Sequence, residues 1–253
     1  MSNNENLHRA QNNPRDEFYT LYEDVKNECD RYKEYFVNKS IYCNCDNRES
    51  AFFQYFYNNF NELQLKELIA TSLPTFSFRR SAQHEESDFI SNCNFFSEEC
   101  KKLLETCDIV ITNPPFSLGK DFMELVIKSN KKFLVIGSEN WITYKTIFPA
   151  IKQNKLWEGY NDPKPKYFSV PKDYDGKNII EKENEKFAKF GNVLWFTNLP
   201  CVKREEQLKL EKEYKPEKYL KYDNYSTLNT GPVIVKNGIP KLLYARLLIK
   251  RII

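Results

Sequence analysis

Asp108-Ile109-Val110-Ile111-Thr112-Asn113-Pro114-Pro115-Phe116 is the stretch on which the fold turns. Ile109, Val110 and Ile111 are consecutive β-branched apolar residues, the pattern of a strand buried on both faces. Pro114 and Pro115 each hold φ at about −65° and offer no N–H. The residue before a proline avoids the helical region, so Asn113 and Pro114 both stay extended. Two prolines could simply end a strand. Here they also hold an amide side chain, two carbonyl oxygens and an aromatic ring at the strand's carboxyl end, which is where ligands bind in an open α/β sheet.

On either side, strand-like and helix-like stretches alternate. Ser40–Asp46, Glu67–Thr71, Lys132–Gly137 and Val193–Thr197 read as strands. Leu21–Phe36, Ala51–Leu63, Glu98–Glu105, Lys120–Ser129 and Ile142–Lys155 read as helices, with Phe122, Leu125 and Val126 forming a core stripe. That alternation predicts an α/β fold with a mostly parallel sheet. Lys166–Val170 and Val193–Thr197 are expected to form its terminal antiparallel pair. Residues 73–87 are expected to be an irregular polar insert, with Arg79 and Arg80 facing solvent or a phosphate. Pro171–Lys186 reads as a charged loop. Asn140 and Trp141 lie in a loop after the fourth strand, as surface residues or as candidates to grip a base.

A chain of 253 residues fits one catalytic domain, here residues 15–200, after a polar N-terminus (1–14) expected to be disordered. Net charge is +3, too small to argue for nucleic acid without a localised patch. Lys203–Lys221 is dense in Lys, Glu and Tyr, and a solvated face suits it as well as phosphate binding does. Seven cysteines without framework spacing, and no apolar leader or span, predict a reduced cytoplasmic protein with no membrane partner. Cys43-x-Cys45 has no second nearby pair, and His8 and His84 lie in polar stretches, so no metal site is expected.

The proline corner suits transfer to a planar amine. The Asn113 side-chain oxygen and the Pro114 carbonyl can each accept one hydrogen of an exocyclic NH2, and Phe116 can stack on the ring. Asn-Pro-Pro-Phe after an apolar strand resembles motif IV of amino-methyltransferases that use S-adenosylmethionine. Asp16-Glu17-Phe18-Tyr19-Thr20 resembles motif X of adenine methyltransferases, although Thr20 could instead be an ordinary helix N-cap. No glycine lies between Ser40 and Leu63, so the glycine-rich cofactor turn is absent.

A narrower resemblance replaces it. Tyr42-Cys43-Asn44-Cys45-Asp46, Arg48-Glu49-Ser50, Leu68–Ser72, Asp88-Phe89, Asn113–Leu118, Lys132–Gly137, Ile142–Lys145, Gly191–Leu199 and Tyr222–Tyr225 are similar, in order, to the EcoRI-type adenine-specific DNA methyltransferase family. The resemblance covers roughly residues 15–228 and implies a Rossmann-like methyltransferase fold with an antiparallel terminal strand. It implies S-adenosylmethionine as cofactor, contacted by Phe18, Tyr19, Thr20, Cys45, Asp46, Ser50, Asp88, Phe89 and Asn113. The catalytic set is Asn113, Pro114, Pro115 and Phe116. Asp88 would accept from the cofactor adenine and Phe89 would cover it. Double-stranded DNA is the implied partner, methylated at adenine N6 on an extruded base. A monomer, and a cognate restriction endonuclease by analogy alone, complete that picture. RNA or protein-glutamine methylation, and an inactive DNA-binding remnant, are the rival readings. Residues 201–253 form a C-terminal extension in which Thr230–Ile253 differs from the family; the family is expected to run on through a longer C-terminal region, so this one reads as truncated.

Overall fold

The computed structural model describes residues 18–161, 166–170, 172–174, 178–182 and 185–201. The expectations for residues 1–17 and for the C-terminal extension, including Lys203–Lys221 and Tyr222–Tyr225, lie outside the described residues.

In chain order the strands are β1 (Tyr19–Thr20), β2 (Ser40–Cys43), β3 (Glu67–Ser72), β4 (Phe76–Ser81), β5 (Glu85–Ser87), β6 (Ile109–Thr112), β7 (Lys132–Ser138), β8 (Trp157–Glu158), β9 (Lys166–Ser169), β10 (Ile179–Lys182), β11 (Glu185–Phe190) and β12 (Val193–Thr197). The helices are α1 (Tyr22–Cys29), α2 (Lys33–Phe36), α3 (Ala51–Asn58), α4 (Glu98–Thr106), α5 (Gly119–Lys128) and α6 (Ile147–Lys152). The main sheet runs β5-β4-β3-β2-β6-β7-β12-β8. Its centre, β3-β2-β6-β7, is parallel, and β12 lies antiparallel to β7. This is the Rossmann-like methyltransferase arrangement, and it places the proline corner at the end of a central strand.

Alternation along the central strands feeds two separate cores. Tyr42, Ile69, Val110 and Val135 pack with Leu103 and Leu104 of α4 and Phe122, Met123 and Val126 of α5. Ile41, Leu68, Ile109, Ile111, Leu134 and Ile136 pack on the other side with Val25 and Cys29 of α1 and Phe52, Tyr55 and Phe56 of α3. The uninterrupted apolar runs in the sequence are thus strands covered by helices on both faces.

Three expectations are corrected. Residues 73–87 are not irregular: β4 and β5 extend the sheet antiparallel to β3. Phe76 and Phe78 alternate with polar residues, and Arg79 pairs with Glu67 (3.3 Å) and Glu86 (3.4 Å), so charge is absorbed between neighbouring strands. Secondly, β9 does not join the main sheet. The partner of β12 at that edge is the two-residue β8, whereas β9 belongs to a second sheet, β1-β9-β11-β10. Part of the expected charged loop is the β10–β11 hairpin of that sheet. Thirdly, Trp141 is a core residue. It stacks on Phe196 (5.7 Å), and it lies so close to Gly119 and Gly137 that a Cβ at either would strike the indole. Asn140 is exposed, in a 3-10 turn (Glu139–Thr143) where the sequence suggests a loop.

A candidate cofactor and amine site

The site lies where β2, β3 and β6 end. A cavity of about 540 Å³ opens there, within the range that holds small molecules. β2 leads into the turn Asn44–Ser50. Ser50 caps α3, its Oγ accepting from the Phe52 N–H. Between them, Asp46 is buried, with one carboxylate oxygen accepting from Ser50 Oγ and the other from Thr112 Oγ1. Burial pushes its carboxyl up to about 6, against the lowering effect of those two hydroxyls and the Asn113 backbone. Asp46 therefore ties the end of β2 to the end of β6.

Asn113 sits one residue beyond β6. Its side-chain Nδ2 donates to the Phe18 carbonyl just before β1. Only the NH2 end of an amide can donate to a carbonyl, so this contact fixes which way the side chain points. Its Oδ1 is buried and has no hydrogen-bond partner. The Pro115 carbonyl is taken by the Leu118 N–H (3.0 Å).

Thr20 Oγ1 and Asn44 Oδ1 are likewise buried without a partner. All three residues line the cavity. An unsatisfied buried oxygen costs about 1–3 kcal/mol, so three converging on one space are a fit for a polar ligand. The ammonium and ribose hydroxyls of S-adenosylmethionine are donors of the kind the Thr20 and Asn44 oxygens lack, so the residues present fit the cofactor and leave the Asn113 oxygen for a second group.

Of the expected site residues, the structure brings Phe18, Tyr19, Thr20, Cys45, Asp46, Ser50, Asn113, Pro114 and Pro115 together around the cavity. It places Asp88, Phe89 and Phe116 outside the lining. Asp88 is exposed after β5, and Phe89 lies under the Arg79 guanidinium (4.7 Å). Phe116 packs between Phe18 (5.8 Å), Trp141 (5.8 Å) and Phe168 (6.2 Å). Thr20 belongs to β1 and caps no helix: the N-cap of α1 is Leu21. Sequence reasoning missed Asn44 and Thr112. Both sit beside residues it had singled out, but nothing in their spacing marks Asn44 as unpartnered or Thr112 as bound to Asp46. Among the described residues, no group of His, Cys, Asp or Glu could hold a metal ion.

A sheet with a parallel centre covered on both faces, a cavity at its carboxyl edge that holds unpartnered polar side chains, and an Asn-Pro-Pro corner beside it define an S-adenosylmethionine-dependent methyltransferase. The comparisons with known proteins agree. The family described as "Adenine-specific methyltransferase EcoRI" matches residues 6–91 and 80–241, and the chain belongs to it, and with it to the Type II, DNA-modifying methyltransferases. That match runs past Leu228, where the reading of the sequence ends it. The chain is 38% identical over 258 residues to the Type II methyltransferase M.EcoRI of Escherichia coli, covering 90% of this chain and 79% of that one. It is 41% identical over 209 residues to M.MgeORF184P of Mycoplasma genitalium, covering 76% and 64%. M.MpnI of Mycoplasma pneumoniae is 35% identical over 240 residues, covering 90% and 75%.

Proposed function

We propose that the chain methylates the N6 amine of adenine in double-stranded DNA, acting on a base turned out of the helix. The observation that carries this reading is the Asn113 amide, held by the Phe18 carbonyl with its own oxygen buried and unpartnered at the cavity. In this reading that oxygen accepts one amine hydrogen, and the Pro114 carbonyl accepts the other. Two acceptors draw electron density onto the nitrogen and turn its lone pair out of the ring plane. Guanine in DNA offers the same group only on its minor-groove edge, and the family's description names adenine.

When bound, S-adenosylmethionine supplies the methyl group and a positively charged leaving centre. The chain's own part is positioning and electrostatics. Thr20, Asn44 and Asp46 shape the cofactor cavity, Asn113 and Pro114 orient the amine, and Phe116 braces the corner. Asp46 is held by the Ser50 and Thr112 hydroxyls and the Asn113 backbone, and in this reading it acts on the geometry of Asn113. Extruding the base costs a few kcal/mol, offset by the hydrogen bonds it gains in the pocket. A role in restriction–modification, beside a cognate endonuclease, follows by analogy with the Type II relatives.

Asn113→Ala tests the proposal. Methyl transfer should fall by at least about a hundredfold, as when a single acceptor or donor at a reacting centre is removed. Cofactor affinity by calorimetry should stay within about threefold, since Thr20 and Asn44 remain. Mass spectrometry of digested DNA should show N6-methyladenine with the wild type. Turnover near wild type in the variant would refute Asn113's role, and labelled guanine, RNA or protein glutamine would refute the substrate.

A further inference from the structure

The small sheet β1-β9-β11-β10 has two unlike faces. In antiparallel pairs, directly opposed residues point to the same side. The row Thr20, Phe168 and Ala188 is buried, and Phe168 packs against Phe116 of the proline corner (6.2 Å). The alternate row, Tyr19, Ser169, Phe187 and Ile180, consequently faces away from the core. Two residues along, that outward side carries the cross-strand pair Tyr167 and Lys189, with the ammonium 5.7 Å from the ring centre. Tyr19 is 38% exposed, Tyr167 37% and Ile180 42%. Lys182 and its opposite number Glu185 lie on the same side, both exposed. Tyr19 also lines the cavity, so this face and the cavity share a rim.

We propose that this outward face is the platform on which the DNA strand flanking the extruded adenine lies. The inference rests on the DNA reading above. A cavity of about 540 Å³ is of small-molecule size, so the rest of a duplex must lie against the surface at its mouth. The small sheet is that surface on the β1 side, because its inner face covers the proline corner. Pulling one base out of the stack bares the faces of its neighbours, and exposed aromatic rings are sequence-tolerant partners for bare bases. Tyr19 and Tyr167 supply the exposed rings, with Phe187 half-buried on the same side. Lys182 and Lys189 outweigh Glu185 and complement phosphates. A second copy of this chain on the same face would set those lysines against themselves.

The test pairs Tyr167→Ala with Lys189→Glu, singly and together. Both residues are on the outward face, and the buried row beneath is untouched. A fluorescein-labelled duplex of mixed sequence is titrated by anisotropy at several salt concentrations. The double variant should bind about tenfold more weakly, and its salt dependence should be shallower. Its calorimetric affinity for S-adenosylmethionine and its thermal midpoint should match the wild type, which separates a lost surface from a lost fold. Wild-type DNA affinity in the double variant would overturn the inference alone. So would a dimer in sedimentation that the variants abolish. Failure of the wild type to bind any duplex would overturn the DNA reading, and this inference with it.

Discussion

Asp46 shows how one side chain can serve a site without touching what reacts. Its carboxyl is raised from 3.8 to about 6 by burial. Between about pH 4 and 6 the folded chain therefore holds a proton that the unfolded chain has released. Stability falls as pH rises through that window, and above it the charged form leaves a deficit on the order of 3 kcal/mol. Asp46→Asn removes the ionisable group. Thermal melts at pH 4.5 and pH 7 should show the wild type gaining stability on acidification relative to the variant; an unchanged difference would mean that Asp46 does not titrate there. The same variant should methylate more slowly, because the link from Asp46 through Thr112 to the Asn113 backbone is altered. Asn113 itself was legible in the sequence because two prolines leave its backbone few options. Asn44 was not, since an unsatisfied oxygen is a property of the surroundings and not of a motif.

Among the elements, β7 shows how tightly the site is backed. Gly137 in β7 and Gly119 at the start of α5 lie against opposite parts of the Trp141 indole. Any side chain at Gly137 must push that ring towards Phe116 or Phe196. Gly137→Ala should cost about 1–3 kcal/mol, the usual penalty of overpacking, and should lower the thermal midpoint by several degrees. Strand β7 was legible as an apolar run, and so were β2, β6 and β12. β4 and β5 were not: Arg79, Arg80, Glu85 and Glu86 look like a solvated loop until they are seen to pair with neighbouring strands and with one another. β9 was found as a strand and assigned to the wrong sheet. A four-residue strand whose described side chains include one buried position does not specify its partners, and these are the two-residue β1 and the hairpin strand β11.

Across the whole molecule, Glu28 joins the first helix to the far edge of the main sheet. It is fully buried at the end of α1, and its carboxylate accepts from the backbone N–H groups of Tyr160 (2.7 Å) and Asn161 (2.8 Å). Gly159, between those residues and β8, comes so close to the carboxylate that a side chain there would collide with it. No periodicity in the sequence connects residues so far apart, so nothing in the sequence marks this tie. Glu28→Ala leaves two amides and the Tyr32 hydroxyl without their acceptor and should destabilise the chain by about 2–5 kcal/mol, with Glu28→Gln milder because one acceptor oxygen remains. Chemical denaturation would measure both. Equal stability of Glu28→Ala and the wild type would show that water replaces the carboxylate.

The three tryptophans of the chain, Trp141, Trp157 and Trp195, are all buried, and none lines the cavity. Intrinsic emission from this protein should be blue, and nearly indifferent to what occupies the pocket. The chain thus carries an optical gauge of its own folding that remains readable while the chemistry is altered, and binding must be followed by another signal.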